Sequence, residues 1–495
     1  MLGVSGREWA GKGLNIQAIR PAQGKSGQET DMVIGAGITG LAAAYILQQG
    51  GHEVLVFESE PCCGGQAQTL THEDFRFDLG GHRFYTKNEE VSQLVKKLVG
   101  DDLLTLQRIS RIYINGRFVD YPLSFRSTIS ALSPMTSLQV VGSYARSRLP
   151  KFLGGLRRRK LETFEDWVTS RFGQKLNDIY FKPYSEKVWG VKCAELTADF
   201  AEQRIKGLSF RAAVQDMYRR FNKNVESTSL VKWFFYPRYG FGQIPDALSS
   251  SLKPGSLHLS SRVIGCLHDD RRITHIIVKQ GDTFEQYSCR QVVMTMPIDE
   301  FVGLLEPAPP ANVLTAAQAL RYRDILICFV VFPREHVTRE HWIYFGSPDV
   351  LFGRIHEPKN WSSAMAPQGA TGLVVEIFCF KTDAIWSESD DKILSMVVKE
   401  LDRLGLIKAS EYQSGKVIRL EKAYPLYTRG YKENLATITQ YLSRFGNLQC
   451  AGRNGLFCYS SGDRHMEMGI RAAKNILGEQ HDLGQVGREC VYAEK

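Results

Sequence analysis

Met32 to Gly35 is a short apolar run, and Gly35-Ala36-Gly37-Ile38-Thr39-Gly40 follows it directly. Leu41 to Gln49 has the composition and period of a helix. Val54-Leu55-Val56-Phe57 is a second apolar run, and it ends at Glu58. Strand, glycine turn, helix, strand and acid in that order predict a βαβ unit. Each glycine has its own physical reason. Gly35 permits the tight turn, Gly37 lets the backbone approach a pyrophosphate, and Gly40 lets the helix pack on the strand. The helix start at Ile38 and Thr39 then presents free N–H groups to a phosphate. Glu58 stands where a carboxylate accepts from ribose hydroxyls. The segment therefore predicts a bound dinucleotide.

The same unit serves NAD and FAD, and the residues beyond it bear on the choice. Gly64-Gly65-Gln66 places a second glycine pair just after Glu58, which resembles the FAD proteins of the glutathione-reductase type. Near the other end, Cys450-Ala451-Gly452-Arg453 closes an apolar strand, and Gly462-Asp463 leads into a last helix that carries Met468. That layout resembles the segment that returns to the flavin in the same proteins. There a helix N-terminus sets partial positive charge against the electron density of the ring or the ribityl chain. The resemblance implies FAD as cofactor and an α/β fold class: a Rossmann-like FAD-binding domain of the glutathione-reductase type, an antiparallel-sheet substrate domain and a helical insertion.

The rest of the chain divides by pattern. Residues 1–30 are rich in Gly, Gln and Lys, lack the apolar centre of a secretory signal, and are expected to be a mobile leader. Residues 31–120 form the first FAD-binding part. Residues 121–235 have helical period, with Trp167, Phe172, Tyr180, Phe181 and Trp189 as apolar anchors, and are expected to be the helical insertion. Residues 236–300 form a second FAD-binding part, with short strands between Ser256 and Gln280 and another from Val292 to Met296. From 301 to 439 the pattern turns to β. Runs at Ile325 to Phe332, Trp342 to Phe345, Val350 to Ile355 and Leu373 to Phe380 predict one antiparallel sheet, with an amphipathic helix from Asp390 to Leu404. Residues 440–480 form a third FAD-binding part, with a strand from Asn447 to Ala451 and a closing helix from Met466 to Leu477, and 481–495 are a tail.

Composition narrows the class. Of 495 residues, 43% are hydrophobic and 23% charged, which is ordinary for a globular chain of two or three packed units. No apolar run approaches the ~18 residues needed to cross a bilayer. The ten cysteines form no Cys-x-x-Cys pair and no zinc-ligand spacing, so no metal is expected, and their scatter fits a reducing cytoplasm. The formal net charge is +9, and much of the excess lies between Arg146 and Lys160. That stretch reads as a solvated basic face, with peripheral contact to an anionic membrane as the alternative. The expected partner is a small-molecule substrate. No nucleic-acid-binding module is recognisable, so nucleic acid is not expected.

Further motifs extend along the chain. They are Gly80-Gly81-His82-Arg83-Phe84-Tyr85-Thr86, Phe181-Lys182-Pro183-Tyr184-Ser185-Glu186-Lys187-Val188-Trp189-Gly190, Tyr236-Pro237-Arg238-Tyr239-Gly240, Met296-Pro297-Ile298-Asp299, Arg321-Tyr322-Arg323 and Gly452-Arg453. Together they resemble the flavoprotein group that includes protoporphyrinogen oxidase, the amine oxidases and UDP-galactopyranose mutase, and in motifs they are closest to the mutase. Two stretches depart from it. Lys206-Gly207-Leu208-Ser209-Phe210 lacks an Arg, and Cys458-Tyr459-Ser460-Ser461-Gly462-Asp463 lacks the full Tyr pair, that help hold the mutase's substrate diphosphate.

The resemblance implies roles. His82, Arg323 and Arg453 are the expected catalytic residues, with His82 beside the flavin ring and the arginines suited to an anion. Tyr184, Trp189, Arg354 and Tyr427 are expected to bind substrate. The expected cofactor set is Gly35, Gly37, Ile38, Thr39, Gly40, Glu58, Gly64, Gly65, Gln66, Gly80, Gly81, His82, Val263, Gly452, Arg453, Asp463 and Met468. Plainer readings stand beside these. His82 could be a structural turn residue, Trp189 core, Arg323 and Arg354 sheet-end ion pairs, and Glu186–Lys187 a local ion pair. No Ser-His-Asp, paired-carboxylate or metal constellation stands out, so the chemistry is assigned to the flavin. The expected function is FAD-dependent oxidation of a small sugar- or amine-bearing metabolite by hydride transfer to flavin N5. The alternative is a non-redox sugar-ring isomerase of the mutase kind that uses reduced flavin.

Overall fold

Thr30–Ile34 and Val54–Phe57 pair in parallel, and the helix Ile38–Gln49 connects them. The computed structural model describes residues 20–21, 29–114, 116–120, 133–152, 161–205 and 233–488. It explains the glycines of the connecting turn. A Cβ on Gly40 would stand 1.9 Å from the Gly35 carbonyl oxygen, so any side chain there would lift the helix off the strand. The last long helix, Gly462–Ile476, packs on the first at Gly469, where a Cβ would stand 2.1 Å from the Thr39 carbonyl oxygen.

These strands belong to a nine-stranded sheet organised by Thr283–Met294. The first half of that strand pairs antiparallel with Ile273–Gln280. Past an irregularity between Cys289 and Val292 it runs parallel to both Thr30–Ile34 and Leu448–Cys450. The sequence predicts a strand only from Val292, because the polar residues before it form no apolar run. Arg20–Pro21 pairs with Glu285 and Gln286, so two residues of the expected leader join this sheet.

A second sheet has seven strands, in the order Gly415–Pro425, Tyr322–Phe332, Thr371–Cys379, Arg354–His356, Trp342–Phe345, Ser110–Ile114 and Arg117–Asp120. Every residue of Tyr322–Phe332 is buried, and strand alternation divides its side chains between two partners. Leu326, Cys328, Val330 and Phe332 meet Ile393, Leu394, Val397 and Leu401 of the helix Asp390–Arg403. Ile325, Ile327, Phe329 and Val331 meet Phe75 and Phe77.

This sheet corrects three expectations. It is not purely antiparallel, since Trp342–Phe345 runs parallel to Ser110–Ile114. Its edge is a hairpin drawn from the stretch expected to belong to the first FAD-binding part. The strand expected over Val350 to Ile355 shrinks to Arg354–His356, because the residues before Arg354 form a turn.

The hairpin of Thr69–His72 and Phe75–Asp78 packs on the second sheet. Phe77 stacks on Phe329 with ring centroids 4.4 Å apart. Asp78 is buried and accepts from the Thr69 hydroxyl at 2.6 Å, the Tyr236 hydroxyl at 2.8 Å and the Phe241 N–H at 3.1 Å. Burial pushes its carboxyl up to about 6 even with those donors.

The expected helical insertion contributes Pro134–Phe152, Phe164–Phe172, Lys182–Trp189 and Ala198–Ile205. Residues 121–132, 153–160 and 206–232 lie outside the described residues. With them go part of the basic stretch and the whole of Lys206-Gly207-Leu208-Ser209-Phe210.

Gly469→Ala is expected to destabilise the protein by about 1–3 kcal/mol, the usual scale of overpacking a tight contact. Gly446→Ala, where a Cβ meets nothing within 4 Å, is expected to stay within about 0.5 kcal/mol of the parent. Urea unfolding of both variants checks the contrast.

Candidate active site

The glycine turn and its neighbours form one surface. No side chain caps the helix Ile38–Gln49, and a Cβ on Gly37 would meet nothing within 4 Å. The first-turn amides therefore have no capping side chain, and the space beside Gly37 is open. Glu58 accepts from the Ala36 N–H at 2.8 Å and the Glu60 N–H at 3.0 Å, which ties the second strand's end to the turn. Gly64 has φ +102°, bridges Gly37, and donates its N–H to the Ala36 carbonyl at 2.8 Å. Gly65 lies so close that a Cβ on it would be 3.4 Å from the Gly37 Cα.

Elements distant in sequence complete this surface. Val263 lies on Ser261–His268, whose Ser261 N–H donates to the Glu58 carbonyl at 2.7 Å. Gly452 has φ +84°, and a Cβ on it would sit 3.0 Å from the Thr39 hydroxyl, so the returning segment rests on the first helix's start. Asp463 and Met468 are buried on the last helix, with Asp463 accepting from the Ser461 hydroxyl at 2.5 Å. An uncapped helix start, an open glycine surface and an acid at the strand end fit the ADP half of FAD.

A polar centre adjoins this surface. Gly80 has φ +113°, and a Cβ on it would stand 3.7 Å from Glu376 and 3.9 Å from Arg354. Arg354 grips Glu376 through two parallel bonds of 2.6 and 2.5 Å. Arg453 donates to the Gln66 side-chain oxygen at 2.8 Å, the Ala423 carbonyl at 3.0 Å and the Ser460 carbonyl at 3.1 Å. Its guanidinium lies 5.3 Å from the Tyr424 ring centroid and 5.4 Å from that of Tyr459. Trp189 stands edge-on to both rings, at 5.8 and 5.7 Å. Tyr427 is buried behind them and accepts from the Tyr459 N–H at 3.0 Å. Tyr184 meets Tyr344 edge-on at 5.9 Å.

Within this cluster Arg354 has Glu376 as its carboxylate, and among the described residues no carboxylate forms an ion pair with Arg453. Burial first, and these charges second, depress the imidazoles. Burial, then Arg453 and Arg354, push His82 down to about 3. Burial also lowers His356 and His465, helped by Arg354 and His82 in the first case and by Arg453 and His82 in the second. All three rings are neutral at neutral pH. The buried His82 Nδ1 and Arg453 Nε make no hydrogen bond within the protein, which fits polar groups meant for a bound ring or substrate.

Thus His82, Gln66, Arg354 and Arg453 are brought together, with Trp189 at the edge. Arg323 is not. Its donors go to the carbonyls of Val188 at 3.0 Å, Lys187 at 3.3 Å and Phe378 at 2.8 Å, and it lies over the Phe380 ring. It closes the C-terminus of the helix that carries Trp189, where cations are favoured. Glu186 and Lys187 do not pair with each other either. Glu186 accepts from the Cys193 N–H at 3.0 Å, and Lys187 donates to the Ser347 carbonyl at 2.8 Å. Glu376, His356, Tyr424 and His465 are additions that sequence reasoning passes over. One signal was available: an acid inside the run Val374-Val375-Glu376-Ile377-Phe378 requires a buried partner.

Residues 38–475 match the family of flavin containing amine oxidoreductases. The chain belongs to that family. It is a flavin enzyme, an oxidoreductase with FAD as its cofactor. It is similar to the coproporphyrinogen III oxidase of Bacillus subtilis (strain 168), at 20% identity over 438 residues, 84% of this chain and 91% of the other. It is also similar to protoporphyrinogen oxidase 2, chloroplastic/mitochondrial, of Arabidopsis thaliana, at 22% over 493 residues, 90% and 93% of the two chains. Among solved structures it shares its fold with a reduced UDP-galactopyranose mutase, with a TM-score of 0.81 at 22% identity over 94% of this chain and 99% of that one. Putrescine oxidase bound to putrescine shares the fold at a TM-score of 0.62 and 16% identity, over 91% and 100%.

Glu376→Ala leaves the Arg354 charge buried and unpaired, and is expected to cost about 3–5 kcal/mol of stability. The double variant Arg354→Met/Glu376→Leu is expected to recover most of that loss. Chemical unfolding of the single and double variants measures both, and a Glu376→Ala protein as stable as the parent would show the pair to be idle.

Proposed function

We propose that this enzyme oxidises a small metabolite bearing an anionic group, a phosphate or carboxylate, and passes the electrons to FAD. The observation that carries this reading is the half-buried charge of Arg453, which pairs with no carboxylate among the described residues, beside the neutral His82. When bound, FAD supplies a hydride acceptor at N5. The amides at Gly37, Ile38, Thr39 and Gly40 would hold its pyrophosphate, and Gly35 sets the turn that aims them. Glu58 would accept from the ribose. Gly64, Gly65, Gln66, Val263, Gly452, Asp463 and Met468 would flank the rest of the nucleotide. Gly80 and Gly81 would let a flat ring lie against the backbone, with the neutral His82 at its edge as a hydrogen-bonding partner. Trp189, Tyr424 and Tyr459 would exclude water and face the substrate.

A sugar-bearing metabolite with a phosphate or carboxylate suits this charge balance better than a free ammonium, which like charge would repel. A non-redox ring isomerisation of a nucleotide sugar is the second reading. It rests on the motif likeness and on Arg453 and Tyr459, which both readings need.

We further propose a discontinuous FAD-binding unit of the glutathione-reductase type, built from 31–109, 236–300 and 440–480. The helical stretch 121–235 and the sheet of 301–439 would form the substrate side. The free thiols of the described cysteines support a cytoplasmic location.

Under anaerobic conditions the substrate is expected to bleach the oxidised enzyme and to require an acceptor for turnover. Conversion of a nucleotide sugar by pre-reduced enzyme without any acceptor would favour the isomerase. Arg453→Ala is expected to stay folded and yellow yet lose about tenfold or more in substrate affinity or flavin reduction rate, the scale of a charge-assisted bond. Stopped-flow reduction decides it.

Glu58→Ala is expected to weaken FAD retention between several-fold and about a hundredfold. Glu186→Ala is expected to retain it, since Glu186 accepts from the Cys193 N–H, away from the glycine turn. Flavin absorbance after gel filtration reports the difference, and equal retention would remove Glu58 from the FAD site.

A further inference from the structure

The helix Pro134–Phe152 turns an apolar face to solvent. Met135 and Leu138 are 66% and 68% exposed, and Val141 is 44% exposed. Gly142 and Ala145 are exposed on the same face, with Gln139 and Arg146 at its edge. Single exposed apolar residues are normal on a protein surface. Three in helical register on one element are not. The opposite side of the helix is fixed. Val140 is buried in the main core, and the Ser143 hydroxyl accepts from the Lys175 N–H at 3.0 Å. Gly173 lies so close that a Cβ on it would be 2.8 Å from the Tyr144 backbone nitrogen.

Charge supplies the second observation. From Tyr121 to Leu161 the sequence contains no Asp and no Glu. Its only charges are Arg126, Arg146, Arg148, Lys151, Arg157, Arg158, Arg159 and Lys160. Arg146 and Lys175 line a shallow groove beside the apolar face, together with Asp178, which accepts from the Gln174 amide at 2.8 Å. A second copy of this chain would bring the same basic run against itself, and like charges would oppose the contact. An anionic surface satisfies both features, because the apolar side chains enter it while the basic residues meet its phosphates.

We propose that this face docks the enzyme on an anionic lipid bilayer, with Met135, Leu138 and Val141 at the boundary between headgroups and acyl chains and Arg146 at the phosphates. No helix among the described residues is long and apolar enough to cross a membrane, so the contact is peripheral. The proposal stands apart from the redox reading, since none of these residues belongs to the FAD or substrate site.

The test is co-sedimentation of the FAD-loaded full-length protein with vesicles of phosphatidylcholine alone or mixed with phosphatidylglycerol. The parent is expected to bind the mixed vesicles, to bind pure phosphatidylcholine weakly, and to release as salt rises. Met135→Glu/Leu138→Glu is expected to weaken binding about tenfold or more, with FAD content and unfolding midpoint as in the parent. Arg146→Glu, which leaves the apolar face intact, is expected to weaken it too. Parent protein that ignores the mixed vesicles, or a double variant that binds like the parent, overturns the proposal. So does a parent dimer, seen by light scattering, that the double variant breaks while vesicles capture neither protein.

Discussion

Asp78 joins three parts of the chain that must meet for a site to exist. It closes the hairpin through Thr69, reaches the strand Trp233–Pro237 through Tyr236, and fixes the turn beyond that strand through Phe241. Phe77 next to it stacks on the second sheet. The loop of Gly80, Gly81 and His82 starts two residues later, so the same anchor sets its position. Burial works against this carboxylate, and three donors hold it in place. A buried polar group with all its partners gives a unique arrangement, whereas one with partners missing loosens the fold around it. The hairpin, the strand Trp233–Pro237 and the turn after it are thus held to one another by Asp78.

The polar centre follows a related logic with the opposite sign. Arg354 and Arg453 both stand at this centre, yet they are handled differently. Arg354 has a carboxylate of its own in Glu376. Arg453 has an amide oxygen, two backbone carbonyls and two tyrosine faces. These stabilise a guanidinium without cancelling it. Its remaining field is felt by His82 and His465, which stay neutral. The three imidazoles at the centre, His82, His356 and His465, are all held in the neutral form. That division suits an enzyme whose flavin performs the chemistry while the protein orients and desolvates.

Much of this architecture can be read from the residues. Gly35, Gly37, Gly40 and Glu58 carry their own geometric reasons, and the strand around Ile325 to Phe332 is evident from its apolar run. Other parts leave no local trace. The polar first half of Thr283–Met294 and the mixed edge strand Gly415–Pro425 are held by the strands they pair with, not by apolar periodicity. Arg323 at the end of a buried strand reads as an anion site, because a guanidinium suits a carboxylate as well as it suits a helix C-terminus. Only the three carbonyls around it distinguish the two. Tyr424, His356 and His465 reach the centre through pairings that span much of the chain, and no short motif records such distances.

Arg453 lies against two tyrosine rings that touch each other, with an indole edge-on to both. That is the environment in which proteins hold foreign cations, and here the chain has filled it with its own side chain. The enzyme carries a built-in ligand, and the sign of its pocket rests on that one side chain. Substituting a small neutral residue would leave aromatic walls suited to an external guanidinium or alkylammonium. One codon thus separates a site made for anions from one made for amines, and that is a short route by which members of one fold could come to act on oppositely charged substrates.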